Sequence, residues 1–312
     1  VWPEVRPGRF AAAIYRNSTD LLDSPGAMRE AAAKCRIGLI GLTDDTGVAM
    51  NHGRPGAREG PHAFRRALAG YGVATPMARG EAPYPRVFDA GDIIPGRDIH
   101  ETHDRVTAAV DGVLDLGLMP VAIGGGHDLT FPFVRAVSRR QMAARPGAAM
   151  IGLYLDAHLD VRAEVGSGMP FRRLLEERLV AGLLCVGANP LANVREHAEW
   201  FEAHGGRIVT AAEAAAGGTP APPPGDASFL SLDLDVLDAA FAPGVSAINP
   251  CGMTPPQVAA VVRAAGRNPR VTCFDIMELN PRHDPDGRTA RLAAHMFLEF
   301  LRGLSERPGG RG

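Results

Sequence analysis

The sequence is poor in cysteine, and what it has is scattered. Cys35, Cys185, Cys251 and Cys273 form no Cys-x-x-Cys pair. No disulfide framework is expected, and the reading is of reduced structural thiols in a cytoplasmic protein. Cys185 and Cys273 sit inside apolar runs and read as buried core residues. Long hydrophobic runs are also missing. With no run of roughly 18 or more apolar residues, no transmembrane helix is expected. The first residues, Val1-Trp2-Pro3-Glu4, lack the charged and apolar regions of a secretory signal. A strong excess of one charge is absent as well, the formal net charge being -2. That argues against general affinity for nucleic acid or an anionic membrane.

What is present is a chain of 312 residues, 46% of them hydrophobic, enough to bury a sizeable core. Short apolar runs rich in Leu and β-branched residues alternate with longer amphipathic stretches. The runs are Ile37–Leu42, Val87–Ala90, Met119–Ile123, Ala149–Leu155, Leu183–Val186, Phe229–Val236 and Val271–Met277, with a weaker one at Arg207–Thr210. Their pattern predicts strands buried on both faces. Helices are expected near 57–70, 99–116, 129–143, 170–181, 191–204, 255–266 and 289–303. Strand–helix alternation implies a parallel sheet with helices on both sides. Gly217–Ala227 is rich in Pro and Gly and reads as a surface loop. No repeat or second composition regime is visible. The expected organisation is an N-terminal extension over 1–36, one catalytic domain over 37–303 and a flexible tail over 304–312.

In open parallel sheets, ligands bind beyond the carboxyl ends of the strands. This sequence concentrates unusual polar residues there. The run ending at Ile123 leads into Gly124-Gly125-Gly126-His127-Asp128, and that ending at Leu155 into Asp156-Ala157-His158-Leu159-Asp160. A third passes from Leu232 into Asp233-Leu234-Asp235, and a fourth ends in Met277-Glu278-Leu279-Asn280. Period-two alternation would aim Asp156, His158 and Asp160 one way, and Asp233 with Asp235 likewise. Four carboxylates brought together without a cation would repel strongly. A pair of hard divalent ions such as Mn(II) resolves this better than zinc, which suits thiolate- or imidazole-rich sets. Two close metals also supply a nucleophile usable near neutral pH. Taken singly, each fragment has a plain structural reading: Asp128 as a helix N-cap, Asp-Leu-Asp as a solvated turn. His52, His62, His100, His103, His197, His204 and His295 have no comparable context and read as surface or packing residues.

Together these motifs resemble the ureohydrolases: arginases, agmatinases and formimidoylglutamases. The likeness runs from Ile37 to Leu298 and rests on GGGHD, DAHLD and SLDLDVLDAAFAPG. It implies a three-layer α/β/α domain with a mainly parallel sheet of about eight strands. It also implies two Mn(II) ions, one held by His127, Asp156, Asp160 and Asp233, the other by Asp156, His158, Asp233 and Asp235. A trimer or hexamer is the usual assembly implied. The finer likeness is to the formimidoylglutamase branch. It is carried by Thr43-Asp44-Asp45, by Asn51 to Pro61 (NHGRPGAREGP), by Val161-Arg162, by Ser167 to Arg172, and by Arg288 to Ala294. Departures from arginases and agmatinases point the same way. Ser167 stands where they carry a His before Gly, Asp238-Ala239 replaces their Asp-Pro, and Arg162 replaces an Asn of arginases.

The resemblance therefore implies hydrolysis of N-formimidoyl-L-glutamate, a small amidine, to L-glutamate and formamide. Asp160 would hydrogen-bond the nucleophile and pass a proton to the leaving nitrogen. Glu278 would pair with the amidinium. A dicarboxylate substrate calls for arginine; Arg162 is the first candidate, Arg54, Arg58 and Arg172 weaker ones. Ser167 and Asn249 are expected at the pocket wall. The alternatives are a guanidino hydrolase that releases urea, and a metal-binding pseudoenzyme or scaffold.

Overall fold

The computed structural model describes residues 2–16, 25–72, 84–217 and 225–307. Nine strands form one sheet: β1 (Tyr15–Arg16), β2 (Ile37–Gly41), β3 (Val87–Asp92), β4 (Met119–Ile123), β5 (Met150–Leu155), β6 (Gly182–Ala188), β7 (Gly206–Thr210), β8 (Ala227–Asp233) and β9 (Val271–Met277). Their order is β1-β3-β2-β4-β9-β8-β5-β6-β7, and every pairing is parallel. Every residue of β2, β5, β6 and β8 is buried, as a sheet covered on both faces requires. Two apolar clusters fill the two sides: one around Phe64, Phe297 and Phe300, the other around Phe133, Tyr154 and Phe171.

The expected alternation holds, with differences at element ends. β8 stops at Asp233 rather than Val236, because Leu234–Val236 winds into a 3-10 turn. The helix expected over 170–181 ends at Glu176, and Arg178 then takes a left-handed φ of 54° that a helix cannot continue through. The stretch at 57–70 divides into a 3-10 turn, Ala57–Glu59, and a helix, Gly60–Leu68. The helix expected from 191 begins only at Arg195. Strand β1 and the helices Pro25–Ala33, Thr46–Met50 and Ala211–Gly217 were not expected; most are too short to establish a period.

The first and last described segments join the same body. The N-terminal extension supplies β1, which pairs with β3, while Phe10 packs edge-on against Phe297. The last helix, Arg288–Ser305, carries Leu304 into the core, so the expected tail begins inside an ordered element. Residues 308–312, and 218–224 of the expected Pro/Gly loop, lie outside the described residues. No helix among the described residues is long and apolar enough to cross a membrane.

Candidate metal centre

The four strands whose ends carry the polar motifs, β4, β9, β8 and β5, are consecutive neighbours at the middle of the sheet. Their carboxyl ends therefore open onto one place. After β4 the chain passes close to its neighbours: a Cβ on Gly125 would stand 1.7 Å from the Asp44 carbonyl oxygen, and one on Gly124 1.9 Å from the Met277 sulfur. Glycine at both positions lets the backbone reach His127, which begins a 3-10 turn (His127–Leu129). Asp128 does not cap a helix. It is buried, with Oδ2 2.9 Å from Nε2 of His103, a residue with no signal in the sequence.

His127 Nδ1 lies 3.2 Å from Asp156 Oδ2, 2.9 Å from Asp160 Oδ2 and 3.1 Å from Asp233 Oδ2. His158 Nδ1 lies 3.0 Å from Asp235 Oδ2 and 3.5 Å from Asp156 Oδ1. Two ligand groups result: His127, Asp156, Asp160 and Asp233, and Asp156, His158 and Asp235. Asp156 belongs to both. Asp233 stands in the first group, and its Oδ1 accepts from the Asp235 backbone N–H at 2.8 Å. The convergence does not come from strand alternation. Strand β5 ends at Leu155, Asp160 has a φ of 47°, and Asp235 sits in a 3-10 turn.

This donor set fits a divalent cation. His127 Nδ1 is buried and makes no hydrogen bond although three carboxylate oxygens lie within 3.2 Å of it, and Asp156 Oδ2, one of those three, makes none either. Buried polar atoms left this way are costly unless an ion completes them. Oxygen and imidazole donors without thiolate suit hard or borderline ions. Charge crowding points the same way. Burial opposes charge on His127, but contacts with Asp156, Asp160 and Asp233 outweigh it and raise its pKa well above the imidazole range. The Asp235 charge does the same to His158. Burial and repulsion from Asp160 and Asp235 push Asp156 up to about 6, and burial with Asp235 and Asp156 lifts Asp233 well above the carboxylate range. Asp235 also suffers burial, yet His158 holds it below that range.

Behind the cluster, His127 Nε2 is 3.0 Å from Ser231 Oγ, and Ser231 donates to Asp275 Oδ1 at 2.5 Å. Because the Ser231 proton goes to Asp275, its lone pair accepts from Nε2–H, leaving Nδ1 to face the carboxylates. Glu278 follows β9 with a left-handed φ of 65°. Its Oε1 accepts from the His127 backbone N–H at 2.8 Å, and its Oε2 accepts from the Ser246 hydroxyl. Burial pushes Glu278 up to about 8, against the pull of those two hydrogen bonds.

A cavity of about 110 Å³ opens over the cluster, lined by both histidines, Asp160, Asp233, Asp235 and Glu278, with Arg162, Ser167, Asn51 and Ser246 around them. Among the described residues Arg162 is its one Arg or Lys. Ser167 accepts from Asn51 Nδ2 at 3.3 Å. Asn249 lies elsewhere: buried, it accepts from Asn189 and lines an adjoining cavity on the other side of His158. The weaker arginine candidates are engaged away from the cavity. Arg54 donates to backbone carbonyls of 243–246, Arg58 pairs with buried Asp45, and Arg172 pairs with Glu176 above the Trp200 ring. Sequence reasoning missed Ser231, Asp275, Ser246 and Asn51. Ser231 and Asn51 had a signal, in opening motifs already singled out; Ser246 and Asp275 had none.

The sequence profile of the arginase family matches residues 35–302. A formimidoylglutamase of Ralstonia nicotianae is 33% identical over 298 residues, covering 88% of this chain and 87% of that protein. One from Halobacterium salinarum is 37% identical over 279 residues, covering 85% and 87%. A crystal structure of Trypanosoma cruzi formiminoglutamase with Mn2+ superposes with a TM-score of 0.79 at 31% identity, covering 89% of this chain and 96% of that one. The chain belongs to the arginase family.

Proposed function

We propose that this arginase-family member is a binuclear manganese hydrolase that cleaves N-formimidoyl-L-glutamate to L-glutamate and formamide, and that it works in the cytoplasm as a homo-oligomer. The observation that carries the substrate is Arg162. It is exposed, lines the cavity beside the metal-type cluster, and has no carboxylate partner among the described residues. A free guanidinium there suits a ligand bearing carboxylates and opposes one with a cationic tail. The relatives named above, formimidoylglutamases over most of their length, support the same substrate.

His127, Asp156, Asp160 and Asp233 would hold one ion, and Asp156, His158, Asp233 and Asp235 the other. Bound Mn2+ supplies Lewis acidity and lowers the pKa of water into the neutral range. The chain's own groups do the rest. Arg162 receives a substrate carboxylate and sets the orientation of the amidine. Glu278, kept in place by His127 N–H and Ser246, meets the amidinium; a cation there favours its ionised form despite burial. Asp160 hydrogen-bonds the attacking water and carries a proton to the glutamate nitrogen as the C–N bond breaks.

The test is a substrate panel. Manganese-loaded protein is given N-formimidoyl-L-glutamate, agmatine, arginine and guanidinobutyrate, and formamide is scored against urea. Formamide from the first compound is the expected result. Urea from a guanidino compound without formamide would keep the metal chemistry and overturn the substrate; no product from any would return the protein to a binding or scaffold role.

A further inference from the structure

The loop at 243–246 makes an unusual set of hydrogen bonds. All four of its carbonyl oxygens accept. Arg54 Nη2 donates to Pro243 O at 3.3 Å and to Val245 O at 2.5 Å, while Arg54 Nε donates to Ser246 O at 3.1 Å. Asn280 N–H donates to Gly244 O at 2.8 Å, and Gly244 N–H donates to Thr289 Oγ1 at 2.9 Å. Asn280 closes the set by donating from Nδ2 to the Arg54 carbonyl at 2.8 Å. There is no room for slack: a Cβ on Gly244 would stand 2.5 Å from the Asp284 Cβ.

A planar fork of donors is the one side chain that can grip three carbonyls of a tight loop together; an ammonium presents a single point. What the grip delivers is the Ser246 hydroxyl, which donates to Glu278 Oε2. The other oxygen of Glu278 accepts from His127 N–H. Glu278 itself stands on a left-handed backbone, a conformation that persists only when its surroundings hold it.

We infer that Arg54 is a positioning residue that fixes Glu278 for the amidinium end of the substrate, acting through the 243–246 backbone and Ser246. The inference rests on the reading that Glu278 meets the amidinium. It assigns the arginine of Asn51-His52-Gly53-Arg54 to the cationic end of the ligand, although Arg54 itself cannot touch a cation. Its donors are turned into the loop, and it does not line the cavity, so it is no carboxylate receptor.

The test separates the two ends of the ligand. Arg54→Ala, Arg54→Lys, Ser246→Ala and the Arg54→Ala/Ser246→Ala double variant of the manganese-loaded chain are compared with the parent. Acetamidinium and L-glutamate binding are measured by calorimetry, with manganese content and thermal midpoint alongside. Both Arg54 variants are expected to weaken acetamidinium binding by about 10- to 100-fold, with manganese content and L-glutamate binding unchanged. The double variant is expected to be no worse than the weaker single one, since both changes break one chain of contacts. Should Arg54→Ala not fold, Arg54→Lys carries the test. Unchanged acetamidinium binding, additive losses, or loss of L-glutamate binding instead would overturn the inference, as would a parent that does not bind acetamidinium. If the parent binds acetamidinium but not L-glutamate, the substrate reading fails while the role of Arg54 stands or falls on the amidinium data alone.

Discussion

His127 Nδ1 and Asp160 Oδ2 lie 2.9 Å apart, although one follows β4 and the other β5, strands separated in the sheet by β9 and β8. Without a cation this is a buried contact between an imidazolium and a carboxylate, and contacts with Asp156, Asp160 and Asp233 keep the ring protonated. A cation bound there would take both groups as ligands, and the proton would have to leave. Metal binding and proton release are therefore expected as one event at this centre.

The metal-free protein is expected to lose stability as pH rises. Burial lifts Asp275 to about 7, above the value it has in an unfolded chain. Between those values the folded state holds a proton that the unfolded state has released. The stability this group contributes is full below its unfolded value and is lost as pH climbs through about 7. Asp156, raised to about 6, and Glu278, raised to about 8, act in the same sense. The thermal midpoint of protein stripped with a chelator should fall from about pH 5 to about pH 8. A rise would show that the buried carboxyls are not held neutral.

Asp233→Asn should separate metal binding from folding. Burial and repulsion from Asp235 and Asp156 already favour the neutral form of Asp233, and asparagine imitates it. The metal-free variant should melt at or above the parent temperature. Its manganese content and turnover should drop by about a hundredfold or more. A clear fall in the metal-free melting temperature would mean that Asp233 contributes to packing as an anion.

Ser231→Ala removes the acceptor for His127 Nε2–H without touching a ligand. Loss of such an outer partner lowers metal affinity by about 10- to 100-fold. Manganese titration of the variant should show that loss, while circular dichroism stays that of the parent. Unaltered affinity would show that Phe171, edge-on to the ring at 5.2 Å, suffices to orient it.

Arg162→Ala should raise KM for N-formimidoyl-L-glutamate by about 10- to 100-fold, the range for a charge-assisted hydrogen-bonded pair. Manganese content should not change, because Arg162 touches no ligand group. Steady-state kinetics checks this; a fall in kcat with KM unmoved would assign Arg162 to the reaction step rather than to substrate capture.

Much of the centre was legible before any coordinates. Buried parallel strands are read from short Leu- and β-branched runs, and the carboxyl ends of such strands are where ligands bind, so His127, Asp156, Asp233 and Glu278 stood out by position. Strand alternation does not produce their convergence. Asp156, His158 and Asp160 do not alternate on a strand; the chain has already left β5, and Asp160 needs a left-handed φ to turn inward. His103 gave no sign at all, since a histidine in an ordinary helical pattern looks the same whether or not a buried Asp128 awaits it. Arg162 ranked first on paper, because it follows the Asp156–Asp160 motif, and Arg54 lower, but no local pattern pointed Arg54 at the carbonyls of 243–246.

The sequence by itself determined the alternation of strand and helix, the strand ends that carry carboxylate and imidazole, and the family, because these are local patterns set by period and spacing. Only the tertiary structure decided which strands are neighbours, that Asp156 faces both His127 and His158, and that Arg54 turns away from the cavity. Those depend on the order β4-β9-β8-β5 and on backbone groups distant in sequence. A guanidinium goes where unpaired acceptors are, and the carbonyls at 243–246 that hold Arg54 exist as a cluster only once the chain has folded.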